Sequence, residues 1–204
     1  MRHAIMKATL AGLSTITFSR MLQSDKNQGE SAEAHDKRCW RERMTTTSSG
    51  EVCIHKLAPK LAMEVAAKFR SDSIPGKGKQ TFTKNIRTGL VPSPNCDFTV
   101  NDANGDPILA ENVIGRTISV PSDGRRGGSK RVPRKFPEID PAWSIDIEML
   151  VFDQDLIEHN ERLHEYLELA GIQIGFGSHR PETSGGDHGM FEVQSFELVE
   201  AGDA

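Results

Sequence analysis

Several stretches of the chain carry a clear repeat of apolar positions. Residues 144–152 (SIDIEMLVF) alternate, with Ile145, Ile147, Met149 and Val151 on one side, the mark of a strand with one buried face. Residues 190–199 read as a closing strand, and residues 7–17 (KATLAGLSTIT), rich in Thr, Leu and Ile, as the first. Residues 56–71 set Leu57, Leu61, Val65 and Phe69 four apart with alanines beside them, which predicts a helix with that stripe toward the core; Pro75-Gly76 marks its end. Residues 156–170 repeat Leu156, Leu163, Leu167 and Ala170 in an a/d-like pattern that Asn160 interrupts, with glutamates outside.

The remaining stretches are less regular. Residues 19–50 are polar, with a short helix expected at 32–44, and residues 51–55 suit a short strand. Residues 76–136 show no helical period; they hold β-like pieces at 80–86, 96–100 and 116–120, separated by Pro, Gly and Asn, with a turn at 101–107. The regular elements run strand, helix, insertion, strand, helix, strand. With one strand hidden in the insertion, this is the βαββαβ order of a ferredoxin-like, RRM-like α+β domain. The expected core is residues 1–75 with 137–204, and residues 76–136 form a basic, β-rich inserted subdomain. Two helices would cover one sheet face and leave the other for a ligand.

Composition adds one decisive point. The formal net charge of −4 hides a segregation: residues 76–136 hold 11 basic and 5 acidic residues, whereas residues 137–204 hold 16 acidic residues against Arg162 and Arg180. Such a split puts a basic surface and an acidic one on the same molecule. It points to a polyanionic partner for the first and to copies attracting one another head to tail. No apolar run is long enough for a membrane span, and residues 1–13 lack the apolar centre of a secretory signal. Cys39, Cys53 and Cys96 fit no disulfide framework, so a reducing, cytoplasmic setting is expected.

Candidate chemistry follows the charge. Lys77, Lys79 and Lys84 sit on a glycine-loosened segment near Phe82, without P-loop spacing. Arg125, Arg126, Lys130 and Arg131 surround Gly127-Gly128, and Arg134 and Lys135 follow. Guanidinium forks and loop N–H groups suit phosphate oxygens and carry no base code, so backbone recognition of a single strand is expected. Between the last helix and the last strand, Gly175, Gly177, Gly185, Gly186 and Gly189 free the backbone for close approach, with Arg180 among them. His179 and His188 in that loop are candidate acid–base groups for RNA cleavage; His35-Asp36 is a looser pair. His35, Cys39, Cys53 and His55 have zinc-ligand side chains at a spacing that matches no standard finger or knuckle. Neither a metal nor a cofactor is expected. Two other readings stand beside strand binding. One is a metal-independent endoribonuclease; the other is an interaction module using the acidic face of Glu158, Glu161, Glu165 and Glu168.

On these features the chain resembles the RAMP superfamily, the repeat-associated proteins of CRISPR effector complexes, in particular their repeated backbone subunit. The likeness rests on the expected core, the glycine loop (Gly175, Gly177, Gly185, Gly186, Gly189) and the basic insertion. It implies RRM-like subunits that coat RNA, preferred over DNA, in a filament, with the insertion as a thumb and other ribonucleoprotein subunits as partners. The pattern Gly175-x-Gly177-x-x-Arg180-Pro181 and the DGRRGG run at 123–128 also resemble uncharacterised phage and prophage proteins.

Overall fold

The computed structural model describes residues 3–93, 97–121 and 130–201. Its strands are β1 (His3–Gly12), β2 (Ile16–Thr17), β3 (Thr45–Thr46), β4 (Val52–Ile54), β5 (Leu90–Pro92), β6 (Phe98–Thr99), β7 (Ile114–Pro121), β8 (Arg131–Ile139), β9 (Ser144–Val151) and β10 (Phe191–Ala201). Its α-helices are α1 (Ala32–Cys39), α2 (Ala58–Arg70), α3 (Phe82–Gly89), α4 (Gln154–Glu158), α5 (Asn160–Leu169) and the single turn α6 (Pro181–Ser184).

The strands of strongest alternation make the central sheet. Its order is β10-β1-β9-β5, with every neighbour antiparallel. Ala4, Met6 and Leu10 of β1 and Ile145, Ile147, Met149 and Val151 of β9 all bury one face under the helices. Two smaller antiparallel sheets, β2-β8-β7 and β3-β4-β6, complete a mixed α+β fold. In the first of these, β7 and β8 form a long hairpin.

The interruption at Asn160 is physical. Asp153 caps α4 by accepting from the Leu156 N–H at 3.2 Å, and His159 leaves helical geometry at φ −118°, ψ 50°. Leu156, Leu163, Leu167 and Ala170 on either side of the break are all fully buried. The helix ends in a wide π-type turn, Ala170–Ile174.

Two expectations are corrected. Residues 80–86, read as β-like, lie mostly in α3. Phe82 and Ile86, four apart, are 1% and 0% exposed; the Phe82 ring packs 5.8 Å from His159 and 6.2 Å from Tyr166. The Asn85 amide donates to Asp153 and Asp155 at 2.9 Å each. These distant contacts outweigh the β-preference of the local threonines. β5, within the same segment, is the strand that joins the sheet edge beside β9.

The second correction concerns α2. Its core face is Ala62, Met63, Ala66 and Ala67, whereas Leu57, Leu61 and Phe69 of the expected stripe are 39%, 54% and 57% exposed. The apolar arc of this helix is wider than the surface it packs on. Small alanines let the helix sit close to its neighbours, so the larger side chains are left on the outer flank. In urea unfolding, Met63→Ala should cost about 2–5 kcal/mol through the cavity it leaves, and Leu61→Ala less than about 0.5 kcal/mol. Equal losses would contradict this assignment of faces.

Candidate nucleic-acid interface

The β7–β8 hairpin has two chemically different sides, set by its register. Ile118 stands opposite Arg134, and Val120 opposite Val132. Gly115 and Lys135 occupy positions of the other side and meet Trp40, whose ring lies 4.5 Å from the Lys135 ammonium and 4.3 Å from the Arg41 guanidinium. A cation on an aromatic face is held by the ring quadrupole. The hairpin is fixed further by Asp36, which is 6% exposed. One of its oxygens takes the Arg43 guanidinium and the other accepts the Lys135 N–H at 2.7 Å. Arg43, also 6% exposed, lies 5.0 Å from the Phe136 ring.

Facing the hairpin is the loop from Gly175 to Gly189. Its glycines are needed for approach to the chain's own backbone. A Cβ on Gly189, at φ +70°, would fall 1.9 Å from the Phe176 carbonyl oxygen, and one on Gly177, at φ +74°, 2.3 Å from that of Thr17. The Phe176 N–H donates to Gly189 O at 2.9 Å, Ser178 N–H to Thr17 O at 2.8 Å, and Gly189 N–H to Thr15 O at 2.8 Å. Phe176 stacks on Phe191 at 4.5 Å. The loop is thus a folded wall carrying His179, α6 and His188.

Between hairpin and loop lies a cleft of about 820 Å³, lined by Ile118, Val120, Arg131, Arg134, Phe136 and Arg43 on one side and by Ser178, His179 and residues 183–188 on the other. His179 packs edge-on to Phe136 at 5.6 Å and stands 5.6 Å from His188. Its backbone adopts φ +58°, uncommon for a residue with a side chain. Burial, with the nearby His188 second, lowers its pKa below the usual histidine value. His188 Nδ1 shares a 2.5 Å hydrogen bond with the Thr17 hydroxyl, and its Nε2 lies 3.8 Å from Asp187. That carboxylate–imidazole–hydroxyl series has no accessible nucleophile, because Thr17 is 0% exposed.

The basic residues divide by partner. Arg131 donates to the Ser119 carbonyl across the hairpin. Arg43, Arg116 and Arg180 are paired with Asp36, with Glu138 and Asp140, and with Glu182, whereas among the described residues Arg131 and Arg134 have no acidic partner. Lys130 is exposed at the hairpin end, and Lys79 and Lys84 are exposed beside and on α3. Lys77 is tied to Asp155 at 2.6 Å, which raises its pKa. None of these three α3-side lysines lines the cleft. Arg125 and Arg126, with the rest of the DGRRGG run, lie outside the described residues, as does Cys96. Sequence reasoning missed Arg43, Ile118 and Val120; the alternation of residues 116–120 was the available signal.

The four zinc-type side chains do not converge, and Cys39 is a free, buried thiol. His35 Nε2 meets the Ser24 carbonyl at 2.8 Å, the exposed His55 accepts from Leu57 N–H through Nδ1 at 3.3 Å, and burial pushes the Cys53 thiol up to about 11. Among the described residues no group of three or more such ligands is placed to hold a metal ion, and no helix is long and apolar enough to cross a membrane.

The face of the central sheet away from the helices is acidic. Lys7 stands between Glu197 and Glu148, and Thr9 between Ser195 and Asp146. A polyanion is repelled there, so the free sheet face is not where such a ligand belongs.

No family model matches the sequence, and no curated protein matches it. Solved structures similar at low identity include three of note. One is the Type III-B Cmr-beta bound to cognate target RNA, solved by cryo-EM: TM-score 0.45, 11% identity, covering 98% of this chain and 61% of that one. Another is Cmr6 from Pyrococcus furiosus: TM-score 0.43, 12% identity, covering 98% of both chains. A third is a chain of a CRISPR RNA-guided surveillance complex: TM-score 0.36, 10% identity, covering 93% of this chain and 66% of that one. All three scores lie below 0.5, so the functional reading rests on the chain's own residues.

Because burial disfavours the His179 imidazolium, the unfolded chain binds more protons than the folded one near and below the unfolded histidine pKa of about 6.5. This residue therefore lowers stability as pH falls through that value and has no such effect above it. The urea midpoint should drop between about pH 7.5 and 5.5, and His179→Gln should drop less. An unchanged pH slope in the variant would remove this assignment.

Proposed function

We propose that the chain binds single-stranded nucleic acid through its backbone, in the cleft between the β7–β8 hairpin and the glycine-rich loop. The observation that carries this is the pairing pattern: Arg131 and Arg134, without acidic partners among the described residues, line a cleft while the open sheet face is acidic. Lys130 continues the positive strip, and Arg125 and Arg126 belong to the same segment of sequence.

The sheet order β10-β1-β9-β5 supports the ferredoxin-like reading, since it follows a strand–helix–strand–strand–helix–strand path with the first and third strands central. In that reading residues 76–136 return β5 to the core of 1–75 and 137–204 and carry the hairpin outward as a thumb. The resemblance to the RAMP superfamily favours RNA over DNA as the ligand and a role among the subunits of a CRISPR-like ribonucleoprotein, and the likeness to phage proteins a phage one. Asp146, Glu148 and Glu197 on the open face suit the basic hairpin of a second copy, a head-to-tail contact that repeats along a strand.

Binding to a labelled single strand should weaken with salt at a log–log slope of roughly −0.7 per phosphate contact. Arg131→Ala with Arg134→Ala should shallow that slope by about 1.4 and lower affinity, while Glu168→Gln should leave it unchanged. A wild-type protein with no salt-dependent binding would end the reading. Native mass measurement with a long oligonucleotide should show several copies per strand; a strict single copy would end the assembly component alone.

A further inference from the structure

The two edges of the central sheet end differently. β5, at one edge, is three residues long and finishes on Pro92. A short strand with a proline is poorly suited to further pairing. β10, at the other edge, runs eleven residues from Phe191 to Ala201 without a proline. It pairs with β1 along one side, and among the described residues no strand lies along the other. Past the register shift at Gln194, residues 195–201 keep an unbroken ladder with β1. Their outer N–H and C=O groups form a regular template for another strand.

The side chains of this edge are correspondingly less buried. On the helix side, Met6 and Ala8 of β1 are 0% and 4% exposed, whereas their β10 neighbours Leu198 and Phe196 are only half-buried. On the open face Val199, beside Ile5, is 40% exposed.

Both margins of the edge are acidic. Glu192 and Glu197 stand exposed on the open face, and Glu200 is exposed near the strand's end. On the helix side the His164 ring lies 5.0 Å from Phe196, with Glu168 3.7 Å from its Nε2. Two copies of β10 laid edge to edge would crowd like charges, which disfavours pairing of the strand with itself. A strand with Lys or Arg beside Glu197 and apolar side chains beside Phe196 and Leu198 meets complementary surface on both faces.

We propose that the outer edge of β10 receives an extended segment of another protein, alternating apolar and basic residues, as a fifth strand of the central sheet. Main-chain hydrogen bonds give such an addition its strength, and alternate side chains give it specificity. No residue of β10 lines the cleft, so this site stands apart from strand binding.

The test is fluorescence anisotropy of a labelled peptide of alternating Lys and Val titrated with the full chain, beside amide hydrogen exchange of the chain. No nucleic acid is present, so failure leaves the strand-binding reading untouched. Expected are 1:1 binding and slowed exchange confined to amides of residues 193–200. N-methylating the peptide's pairing edge, which keeps its side chains, should weaken binding at least about tenfold. Glu192→Lys with Glu197→Lys should weaken the Lys peptide about tenfold and tighten a Glu-for-Lys version. An unfolding midpoint near wild type shows that this variant is folded, and the peptide-side changes need no variant. An N-methylated peptide that binds equally well reduces the contact to charge attraction and overturns the proposal. So does an absence of binding, or exchange slowed elsewhere than in β10. Protection of the same amides by self-association of the chain alone assigns the edge to a second copy and also overturns it.

Discussion

The carboxylate of Asp36 holds together what the cleft requires. A buried carboxylate is costly unless both oxygens are occupied, and here Arg43 takes one and the Lys135 N–H the other. The first partner is seven residues away and the second ninety-nine, so this one group joins the polar N-terminal segment to the basic hairpin. Arg43 is thereby pinned over Phe136, and Phe136 in turn supports the His179 ring. The position of the hairpin against the glycine loop depends on that chain of contacts. Loss of the carboxylate would leave a buried guanidinium without its counter-charge.

Electrostatics then decides which surface does what. In a sheet with helices on one side, the free face is the obvious place for a ligand. Here that face carries Asp146, Glu148 and Glu197 against Lys7, so it repels a polyanion and suits a basic protein surface. On the hairpin, Arg131 and Arg134 carry positive charge without acidic partners among the described residues. The acidic helix face is partly neutralised by its own neighbours, since Glu165 is shared by Arg70 and Arg162.

Much of the central sheet was legible in the sequence. Ile145, Ile147, Met149 and Val151 alternate because one face of β9 is buried, and a period of two survives any tertiary detail. The break in the last helical pattern at Asn160 was visible as a missing apolar residue. α3 was not legible: its eight residues include two threonines, and what holds them helical is Phe82 against Tyr166 and Asn85 against Asp153 and Asp155. Of the candidate site, Arg131, Arg134, His179 and His188 were found as charge and chemistry in loops, but their meeting in one cleft was not.

The sequence by itself determined the periodic elements, the segregation of charge and the flexible glycine segment, because these are properties of neighbouring residues. It did not determine which arc of α2 is covered, whether Lys77 is free or held by Asp155, or what the glycines approach. Those outcomes depend on residues far apart in the chain, such as Thr17 and His188, 171 positions apart and joined by one hydrogen bond. A close approach or an ion pair exists only once two distant surfaces are brought together, and only the tertiary structure decides that.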